Sequence, residues 1–481
     1  MVEVSKSPSE GKLVPVIDTM SADLHTPLSV YLRLAASHGE SFLLESVEGG
    51  ESLGRYSFIG ADPAMIVRGD AKSVTTRGPA GDTVLDNPML RAIRDHFSNC
   101  DIELSAELPP FVGGAIGYLG FNCSGWFEKS VASTNTEGPD SEFMFFRSVV
   151  AFDHVKQIIS IISLSSTSED LDKADARGRN AAIKSRLETG SVPLPTGQAT
   201  KSVDPVTTNW TKEDFERSVE EIKEKIRAGD CYQVVLSQRF SRRTSADAVS
   251  IYRAMRSINP SPYMFLLRMS DRSIIGSSPE MLIKCSGRDL EYRPIAGTRP
   301  RGKSPEEDTR LSDEMRADEK EIAEHLMLVD LGRNDLGRVA EYGSVKVESL
   351  MGVEKYSHVQ HLVTRLSAKL RKGLDRFDAL AACFPAGTVS GAPKVRAIEL
   401  IQAMEPDPRG IYAGAVGYLD YGGNMDMCIA IRTLVLKDGV AHVQAGAGIV
   451  ADSVPEKEYE ETVNKARALL KAIELAEAEA Q

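Results

Sequence analysis

The chain is poor in the features that mark secreted, metal-stapled or nucleic-acid-binding proteins. Its 481 residues include six cysteines and no Cys-x-x-Cys pair. This spread is typical of reduced thiols and fits neither a disulfide framework nor a zinc module. There are 57 Lys and Arg residues against 69 Asp and Glu, a formal net charge of −12. That balance argues against a phosphate backbone as the main partner.

Long apolar runs are also missing. The N-terminus, MVEVSKSPSEGKLVPV, lacks the continuous apolar core of a signal peptide. Apolar stretches such as Ile158–Leu164 are far shorter than the ~20 residues that a membrane helix requires. We therefore expect a soluble, cytoplasmic protein that binds neither membrane nor nucleic acid.

One stretch divides the chain. Residues 186–209 are rich in Pro, Gly, Ser and Thr and lack apolar periodicity, which is typical of a linker. We predict an N-terminal segment over 1–185, the linker, and a C-terminal segment over 210–481. Strand-like runs joined by short turns, such as Lys437-Asp438-Gly439, predict antiparallel sheet with helices segregated on its faces. The expected fold class is α+β rather than doubly wound α/β.

The last predicted helix starts at Pro455 and carries charges on one face. Glu458, Glu461 and Lys465 are spaced by three and four residues, so they lie on the same side of the helix. One interpretation is a solvated face with a Glu461–Lys465 ion pair. The other is a ligand-binding face.

A second acidic helix favours the ligand-binding interpretation. The segment Asp318–Leu331 is predicted to be helical, with Glu321 and Glu324 one turn apart. Two helices that each present two carboxylates could share one Mg²⁺, an ion that prefers oxygen ligands and completes its shell with waters and anionic substrate groups. Zinc is disfavoured because neither helix offers paired Cys or His.

Three further motifs leave alternatives open. The glycine-rich segments CFPAGTVSGAPK and GAGIVA fail the phosphate-loop and dinucleotide templates in spacing and context, but their backbone N–H groups can approach a carboxylate. Arg432, predicted to lie in an apolar strand, should either pair with a buried acid or bind a planar anion. His358 and His361 would be one turn apart on a helix, as structural residues or as acid/base groups.

These motifs together resemble the chorismate-utilising enzymes, most closely component I of anthranilate synthase. The resemblance extends over nearly the whole chain in the expected order. Its blocks are LLES (43–46), GDCYQVVLSQRF (229–240), NPSPYMF (259–265), SPEML (278–282), PIAGTRPRG (294–302), EHLMLVDLGRNDLGRV (324–339), HVQHLV (358–363), FPAGTVSGAPK (384–394), GIYAGAVGYLD (410–420), AIRTL (430–434) and QAGAGIVADSVPEKEYEETVNKA (444–466).

The resemblance implies a fold and a ligand. It implies large antiparallel sheets packed orthogonally with helices on the outer faces, a regulatory segment over 1–185 and a chorismate-binding catalytic segment over 210–481. It implies that Mg²⁺ is held by Glu324 and Glu461, with Glu321 and Glu458 in support. The substrate would contact Gly297, Thr298, Tyr412, Arg432, Gly446, Ala447, Gly448 and Lys465.

The resemblance also implies a reaction. Ammonia adds at C2 of the chorismate ring as the C4 hydroxyl leaves, and pyruvate is then eliminated to give anthranilate. Glu280 matches the acid that protonates the hydroxyl, work that needs a raised pKa, and His361 matches a histidine implicated in the elimination. Gln233 and Thr388 complete the predicted catalytic set. For Glu280 and His361 the alternative is a purely structural role.

Two positions separate related activities. Isochorismate- and salicylate-forming relatives carry a lysine base where Gln233 stands, and aminodeoxychorismate synthases carry a nucleophilic lysine where Ala296 stands. Both substitutions favour anthranilate formation. Aminodeoxychorismate synthesis and a catalytically inactive, tryptophan-binding scaffold are the competing functions.

The chain has no glutaminase motif of its own. Its nearest approach to the G-x-C-x-G-x-Q elbow surrounds Cys123 with the wrong spacing, so we expect a separate glutamine amidotransferase subunit as partner. By resemblance, Ser46, Pro262, Tyr263 and Met264 form a second site, for tryptophan as inhibitor; the alternative is that LLES is only a core strand. Because these residues straddle the linker, we expect the two segments to share a sheet core.

Overall fold

The computed structural model describes residues 12–35, 38–46, 54–79, 81–100, 102, 107–131, 138–166, 170–192, 204–356 and 359–479. His358 and part of the predicted linker lie outside these ranges. The strands are β1 (Leu13–Ser21), β2 (Ser41–Glu45), β3 (Tyr56–Ala61), β4 (Met65–Gly69), β5 (Val74–Gly78), β6 (Gly81–Leu85), β7 (Gly114–Leu119), β8 (Ser141–Phe146), β9 (Ser148–Asp153), β10 (Ile158–Ser166), β11 (Thr207–Thr208), β12 (Gln233–Arg243), β13 (Tyr263–Arg268), β14 (Ser273–Ser278), β15 (Met281–Ser286), β16 (Asp289–Tyr292), β17 (Ile295–Pro300), β18 (Lys346–Lys355), β19 (Val359–Lys369), β20 (Gly391–Ala392), β21 (Ala415–Asp420), β22 (Met425–Ile429), β23 (Thr433–Lys437) and β24 (Val440–Ile449).

The helices surround these strands. They are α1 (Pro27–Ala35), α2 (Met89–Ser98), α3 (Ser124–Phe127), α4 (Asp170–Thr189), α5 (Lys212–Arg227), α6 (Ala248–Ile258), α7 (Pro305–Ala317), α8 (Glu319–Gly337), α9 (Arg376–Cys383), α10 (Lys394–Met404) and α11 (Pro455–Glu479). Short 3₁₀ turns cover Phe121–Cys123 and Gly387–Val389.

The strands form two 12-stranded sheets. The first has the order β1-β10-β9-β3-β2-β13-β14-β23-β24-β12-β11, with β20 beside β12. The second has the order β17-β19-β16-β15-β22-β21-β7-β8-β4-β5-β6, with β18 beside β19. The paired strands of the described residues run antiparallel, which confirms the predicted α+β class. Both sheets combine strands from either side of residues 186–209, since β2 pairs with β13 and β7 pairs with β21.

The two sheets pack face to face over an aromatic core. Alternate residues of each strand point to opposite sides, so Phe265 of β13 enters the layer between the sheets while Leu266 points outward. Phe42 and Phe146, from opposite sheets, meet there with ring centroids 4.7 Å apart. Strands buried on both faces explain the continuous apolar runs in the sequence.

Helices cover the outer faces of both sheets. Buried side chains of α1, α6 and α11 pack against the outer face of the first sheet. Helices α2, α5, α8, α9 and α10 contribute to a second outer core with strands of both sheets. The sandwich therefore has the layer order helix, sheet, sheet, helix.

Local structure follows ordinary sequence rules at several boundaries. Thr211 caps α5 by accepting a hydrogen bond from the backbone N–H of Asp214. Asp438 and Gly439 join β23 to β24 with φ of +50° and +71°, the paired positive values that a tight hairpin turn requires. His361 lies on strand β19, so the helical spacing considered for the two histidines does not apply.

Candidate active site

The candidate site lies where the chain crosses from the first sheet to the second. Glu280 stands between β14 and β15, and Arg432 stands between β22 and β23. The prediction that Arg432 belongs to a strand is therefore wrong: it lies in the crossing, with φ of +49°. The two crossings are bonded to each other, because Ile429 N–H donates to the Glu280 carbonyl at 3.0 Å and Ser277 N–H donates to the Arg432 carbonyl at 3.1 Å.

Acids of the two predicted helices interact electrostatically at one end of the site. Gln233, at the start of β12, donates from Nε2 to Glu324 Oε1 on α8 at 3.3 Å. Burial raises the pKa of the Glu324 carboxyl, and the negative charges of Glu321 and Glu461 raise it further, while the Gln233 hydrogen bond and Lys320 act in the opposite direction. Electrostatic coupling between Glu324 and Glu461 means that α8 and α11 present their acids to a common region.

The remaining acids of this cluster have defined partners. Burial raises the pKa of Glu458, offset by the Ser453 hydroxyl. Glu461 forms an ion pair with Lys465 at 2.6 Å, and 46% of its side chain is exposed. The ion pair of the solvated-face interpretation is thus present, together with the cluster of the ligand-binding one. Glu321 accepts from Arg299 at 2.9 Å.

The donor set of this cluster fits Mg²⁺ in its chemistry. Negative charge from Glu321 and Glu461 raises the pKa of Glu324, and Glu461 also raises that of Glu458. A divalent cation relieves such repulsion between like charges. Among the described residues, no three acidic, His or Cys side chains lie close enough to hold a metal ion by themselves. Such proximity is not required, because Mg²⁺ commonly takes one or two protein carboxylates and fills its shell with waters and substrate oxygens.

Two glycines of β24 make room for neighbouring side chains. A Cβ atom at Gly448 would lie 2.6 Å from Gln233 Nε2, and one at Gly446 would lie 2.8 Å from the Tyr412 hydroxyl. The Gly446 carbonyl also accepts from Lys465 Nζ at 3.0 Å. Between them, Ala447 is fully buried in the outer core. The 446–448 segment therefore offers backbone groups, not side chains, to the site.

Arg432 is the principal cation of the site. Burial lowers the pKa of its guanidinium, partly offset by Tyr412 and Glu461. Within the described ranges no carboxylate lies within 4 Å of it, so the alternative of a buried ion pair is not what the structure shows. Arg432, Glu461 and Lys465 line an open cavity of about 450 Å³. A guanidinium held in this way is suited to bind a planar anion with two hydrogen bonds.

Glu280 is a buried carboxyl group with its proton retained at neutral pH. Only 5% of Glu280 is exposed, and this burial raises the pKa of its carboxyl group to about 8. The Thr388 hydroxyl and the Ile295 backbone N–H partly offset the rise, although the Thr388 oxygen has no hydrogen-bond partner of ordinary geometry among the residues that the structure describes. A neutral carboxylic acid in such a pocket can give up a proton to a leaving group.

His361 faces the edge strand β17. Its Nδ1 lies 3.0 Å from the Gly297 carbonyl and 3.1 Å from the Thr298 hydroxyl. Since a carbonyl can only accept, Nδ1 carries the proton and Nε2 is left as a proton acceptor. Burial lowers the pKa of the ring, and Arg432 lowers it further. Gly297 has φ of +69°, and a Cβ there would lie 3.2 Å from Glu321 Oε2.

Residues outside the predicted set also shape the site. Lys320, in the first turn of α8, offsets the raised pKa values of both Glu324 and Glu458, so its charge lies near acids of both helices. Tyr356 packs edge-on against the His361 ring with centroids 5.6 Å apart. Arg409 lies behind Tyr412, with its guanidinium carbon 5.6 Å from the ring centroid. Each lies close in sequence to a predicted residue, since Lys320 precedes Glu324 by four positions, Tyr356 precedes His361 by five and Arg409 precedes Tyr412 by three. That proximity was the available signal, but it does not by itself show which neighbours face the site.

A second cavity lies between the two sheets. It has a volume of about 340 Å³. Its lining includes Ser46, Pro262, Tyr263 and Met264, the four residues predicted to form the inhibitor site. The pairing of β2 with β13 brings them together, with Glu45 opposite Met264. The second sheet closes the other side with residues of β15, β21 and β22.

Sequence and structure comparisons identify the class of protein to which this site belongs. Residues 39–471 match the model of the chorismate binding enzyme family, and the chain belongs to that family. A menaquinone-specific isochorismate synthase from Escherichia coli is 20% identical and shares the fold, with a TM-score of 0.72 over 96% of this chain and 95% of that one.

Within the family, the chain is similar to one kind of member. It is 46% identical to anthranilate synthase component 1 of Acetivibrio thermocellus, covering 98% of this chain and 97% of that one. It is 45% identical to the Aquifex aeolicus counterpart, covering 99% and 97%. The structure of anthranilate synthase component I from Streptococcus pneumoniae superimposes with a TM-score of 0.78 at 36% identity, covering 94% and 98%.

In the described part of the chain, no helix has the length and apolar character to cross a membrane.

Proposed function

We propose that this chain is the synthase component of an anthranilate synthase. It converts chorismate and ammonia to anthranilate, pyruvate and water. The observation that carries the proposal is a pair of bonded crossings that bring together Arg432, which has no carboxylate within 4 Å among the described residues, and Glu280, a buried carboxyl with a raised pKa. The carboxylates of α8 and α11 lie on the Arg432 side, where Glu461 shares a cavity with Arg432. A dianionic substrate with a hydroxyl leaving group needs these three elements.

The residues of the site divide the work. Arg432 and Tyr412 hold one carboxylate of chorismate, and Lys465 with the 446–448 backbone faces the other. Ammonia forms a bond to C2 as the C4–O bond breaks, and Glu280 gives its proton to the departing hydroxyl, which leaves as water. His361 Nε2 then accepts the proton that is lost from C2 as pyruvate is eliminated. Thr388 faces Glu280, and Gly297 with Thr298 positions His361.

Mg²⁺ is the cofactor that we propose. Glu324 and Glu461 would hold it, with Glu321 and Glu458 in support. When bound, it would neutralise the carboxylates of α8 and α11 and attract the ring carboxylate of the substrate. The residues of the chain supply orientation and proton transfer around it.

Two side chains favour this activity over its relatives. The Gln233 side chain is an amide bonded to Glu324, so it cannot act as the base that activates water. Ala296 lies on β17 beside Gly297 and opposite Leu362, where a lysine would be needed for a covalent intermediate. Ala296→Lys is the substitution that would bring the site toward aminodeoxychorismate synthesis.

We further propose a partner and a regulator. Glutamine amidotransferase as a separate subunit would supply ammonia, because the chain has no G-x-C-x-G-x-Q elbow. Tryptophan would bind the cavity between the sheets and inhibit, as expected for the first committed step of tryptophan biosynthesis. We place this reaction in the cytoplasm.

The direct test uses the chain alone. Purified protein is mixed with chorismate, Mg²⁺ and an ammonium salt at alkaline pH, and anthranilate fluorescence is followed. We expect product with the ammonium salt and none with glutamine. Folded protein that makes no anthranilate would refute the proposed activity, and turnover with glutamine alone would refute the separate partner. A product that retains the enolpyruvyl group would indicate the sister activity.

A further inference from the structure

A buried ion pair lies directly behind the candidate site. Arg409 and Glu405 are joined by two hydrogen bonds, at 2.9 Å and 2.6 Å, and their side chains are only 1% and 4% exposed. Enclosing two opposite charges is costly unless every polar atom finds a partner. The contacts of this pair show where its partners are.

The guanidinium of Arg409 binds two separate segments of backbone. One nitrogen donates to the Val389 carbonyl and another to the Val235 carbonyl, both at 2.7 Å. Val389 follows Thr388 in the 3₁₀ turn, and Val235 lies two residues after Gln233 on β12. The planar fork of arginine can reach both acceptors and Glu405 together, which a lysine ammonium cannot do in the same geometry.

The same guanidinium stacks on aromatic rings. Its central carbon lies 4.6 Å from the Phe121 ring centroid and 5.6 Å from that of Tyr412, within the range of cation–π attraction. Glu405 in turn accepts from the backbone N–H and hydroxyl of Ser237, both at 2.8 Å. The pair therefore contacts the turn of Thr388, the strand of Gln233 and the ring of Tyr412.

We propose that Arg409 is a positioning residue for the reaction. It fixes the Thr388 turn, the Gln233 strand and the Tyr412 ring relative to one another, and Glu405 holds it in place. The inference rests on the proposed function, because these three residues matter only if the site binds chorismate. It assigns no contact between Arg409 and the substrate.

The test is Arg409→Lys, assayed with chorismate and an ammonium salt. The substitution keeps the charge but not the fork, and displacement of reacting groups by about 1 Å costs on the order of 100-fold in rate. Because Arg409→Lys should displace the Thr388 turn and the Tyr412 ring by a distance of this order, we expect kcat/KM to fall by roughly 30- to 100-fold. The matched control is Arg242→Lys, which alters another buried ion pair at the far end of β12, where Arg242 donates to Glu477 at 2.6 Å. We expect the Arg242→Lys control to lose stability but to keep kcat/KM within about 2-fold of the wild-type value. Arg242 shares no hydrogen-bond partner with the Arg409 pair in the described residues, and residues of this kind act independently.

A double variant separates positioning from stability. If Arg409 acts through Tyr412, adding Tyr412→Phe to Arg409→Lys should cost no more than about 3-fold beyond Arg409→Lys alone, because coupled changes are not additive. Three results would each overturn the proposal. They are a double variant whose loss in kcat/KM is the product of the two single losses, an Arg409→Lys enzyme with unchanged kcat/KM, and an equal loss of kcat/KM in Arg242→Lys. If Arg409→Lys does not fold, Glu405→Gln replaces it, with an expected loss of about 10-fold from the weaker hydrogen bonds to a neutral amide.

The two proposals can fail separately. A wild-type chain that makes no anthranilate refutes the function. The same variants are then compared by the rise in unfolding temperature that chorismate causes, since a ligand stabilises the state that it binds. A rise that is lost in Arg409→Lys but kept in Arg242→Lys supports the positioning role, and an equal rise in both contradicts it.

Discussion

At the scale of single residues, burial shifts the pKa values of two groups in opposite directions, raising that of Glu280 and lowering that of Arg432. Glu280 is pushed toward its neutral form, with a pKa of about 8, while Arg432 is half-buried and has no carboxylate within 4 Å in the part of the chain that the structure describes. Burying either group without a hydrogen-bonding or charged partner is costly. The proposed function supplies both partners, as a substrate that accepts the proton and contributes the anion.

Replacing Glu280 by Gln should remove the acid without changing its size. We expect kcat to fall by about 100- to 10,000-fold, the usual contribution of a general acid, with little change in the KM for chorismate. The wild-type kcat/KM should fall as the pH rises through about 8, where Glu280 loses its proton. A pH–rate profile with ammonia concentration held constant tests this, and an unshifted profile in Glu280→Gln would contradict the assignment.

Glu280 should also affect stability with a defined sign. Folding raises its pKa from 4.5 to about 8, so between these values the native state binds more protons than the unfolded chain, and its free energy of unfolding falls as the pH rises. Glu280→Gln does not titrate. Its stability relative to the wild type should therefore be greater at pH 8 than at pH 5, by roughly 3 kcal/mol, measured by denaturant unfolding at both pH values.

Arg432→Lys tests recognition of the substrate anion. Lysine keeps the charge but loses the two-pronged geometry, and one hydrogen bond to a charged group contributes about 1.5–3 kcal/mol. We expect the KM for chorismate to rise about 10- to 100-fold from this loss, with a smaller change in kcat. Arg365→Lys, on the exposed side of β19 and paired with Glu291, is the control. Equal KM values in the two variants would argue against Arg432 as the anion site.

At the scale of elements, the acidic cluster draws its carboxylates from two helices. Glu324 of α8 interacts electrostatically with Glu461 of α11, although the two helices are separated in sequence by more than 100 residues. Gln233 reaches α8 from β12, and Gly448 gives its side chain the necessary space. The crossings at Glu280 and Arg432 are set by hydrogen bonds between backbones. The site is therefore built by contacts between elements far apart in sequence.

Glu461→Gln should weaken the cation site of α8 and α11. We expect the Mg²⁺ concentration for half-maximal activity to rise by roughly 10- to 100-fold, as for loss of a group that supports a metal. Without metal, the Glu461→Gln variant should unfold at no lower temperature than the wild type. The reason is that the negative charge of Glu461 repels that of Glu324. Glu474→Gln, further along α11, is the control, and an unchanged Mg²⁺ requirement in Glu461→Gln would contradict the assignment.

At the scale of the whole molecule, the two sheets are built jointly by both halves of the chain. The cavity at Ser46 and Pro262 lies between the sheets, with Val416 and Tyr418 on the second sheet facing the first. The crossings that carry Glu280 and Arg432 also join these sheets. A ligand bound in the cavity would therefore contact both layers on which the candidate site depends. This is the physical route by which the proposed inhibitor would act.

Val416→Phe should fill part of that cavity. Val416 is buried and lines the space, and overpacking typically costs about 1–3 kcal/mol. We expect the tryptophan concentration for half-inhibition to rise at least about 10-fold, equivalent to about 1.4 kcal/mol of binding, with uninhibited kcat unchanged. Inhibition is measured in the ammonium-dependent assay. Unchanged sensitivity in a folded variant would place the inhibitor elsewhere.

The amino-acid sequence by itself was sufficient for the local features. Turn chemistry at Asp438 and Gly439, the cap at Thr211 and the start of α11 at Pro455 follow from rules that involve a few neighbouring residues. The spacing of Glu321 and Glu324, and of Glu458 and Glu461, showed which carboxylates share a helix face. The motif blocks indicated the family and the candidate residues, including the second site.

Only the tertiary structure decided how these features combine. Arg432 lies in a crossing between sheets because β22 and β23 belong to different layers, which no local pattern reveals. The raised pKa of Glu280 depends on burial by distant segments, and the positioning role that we propose for Arg409 depends on acceptors at Val389 and Val235. Local propensities act over a few residues, whereas burial and charge coupling act between segments that meet only after the chain has folded.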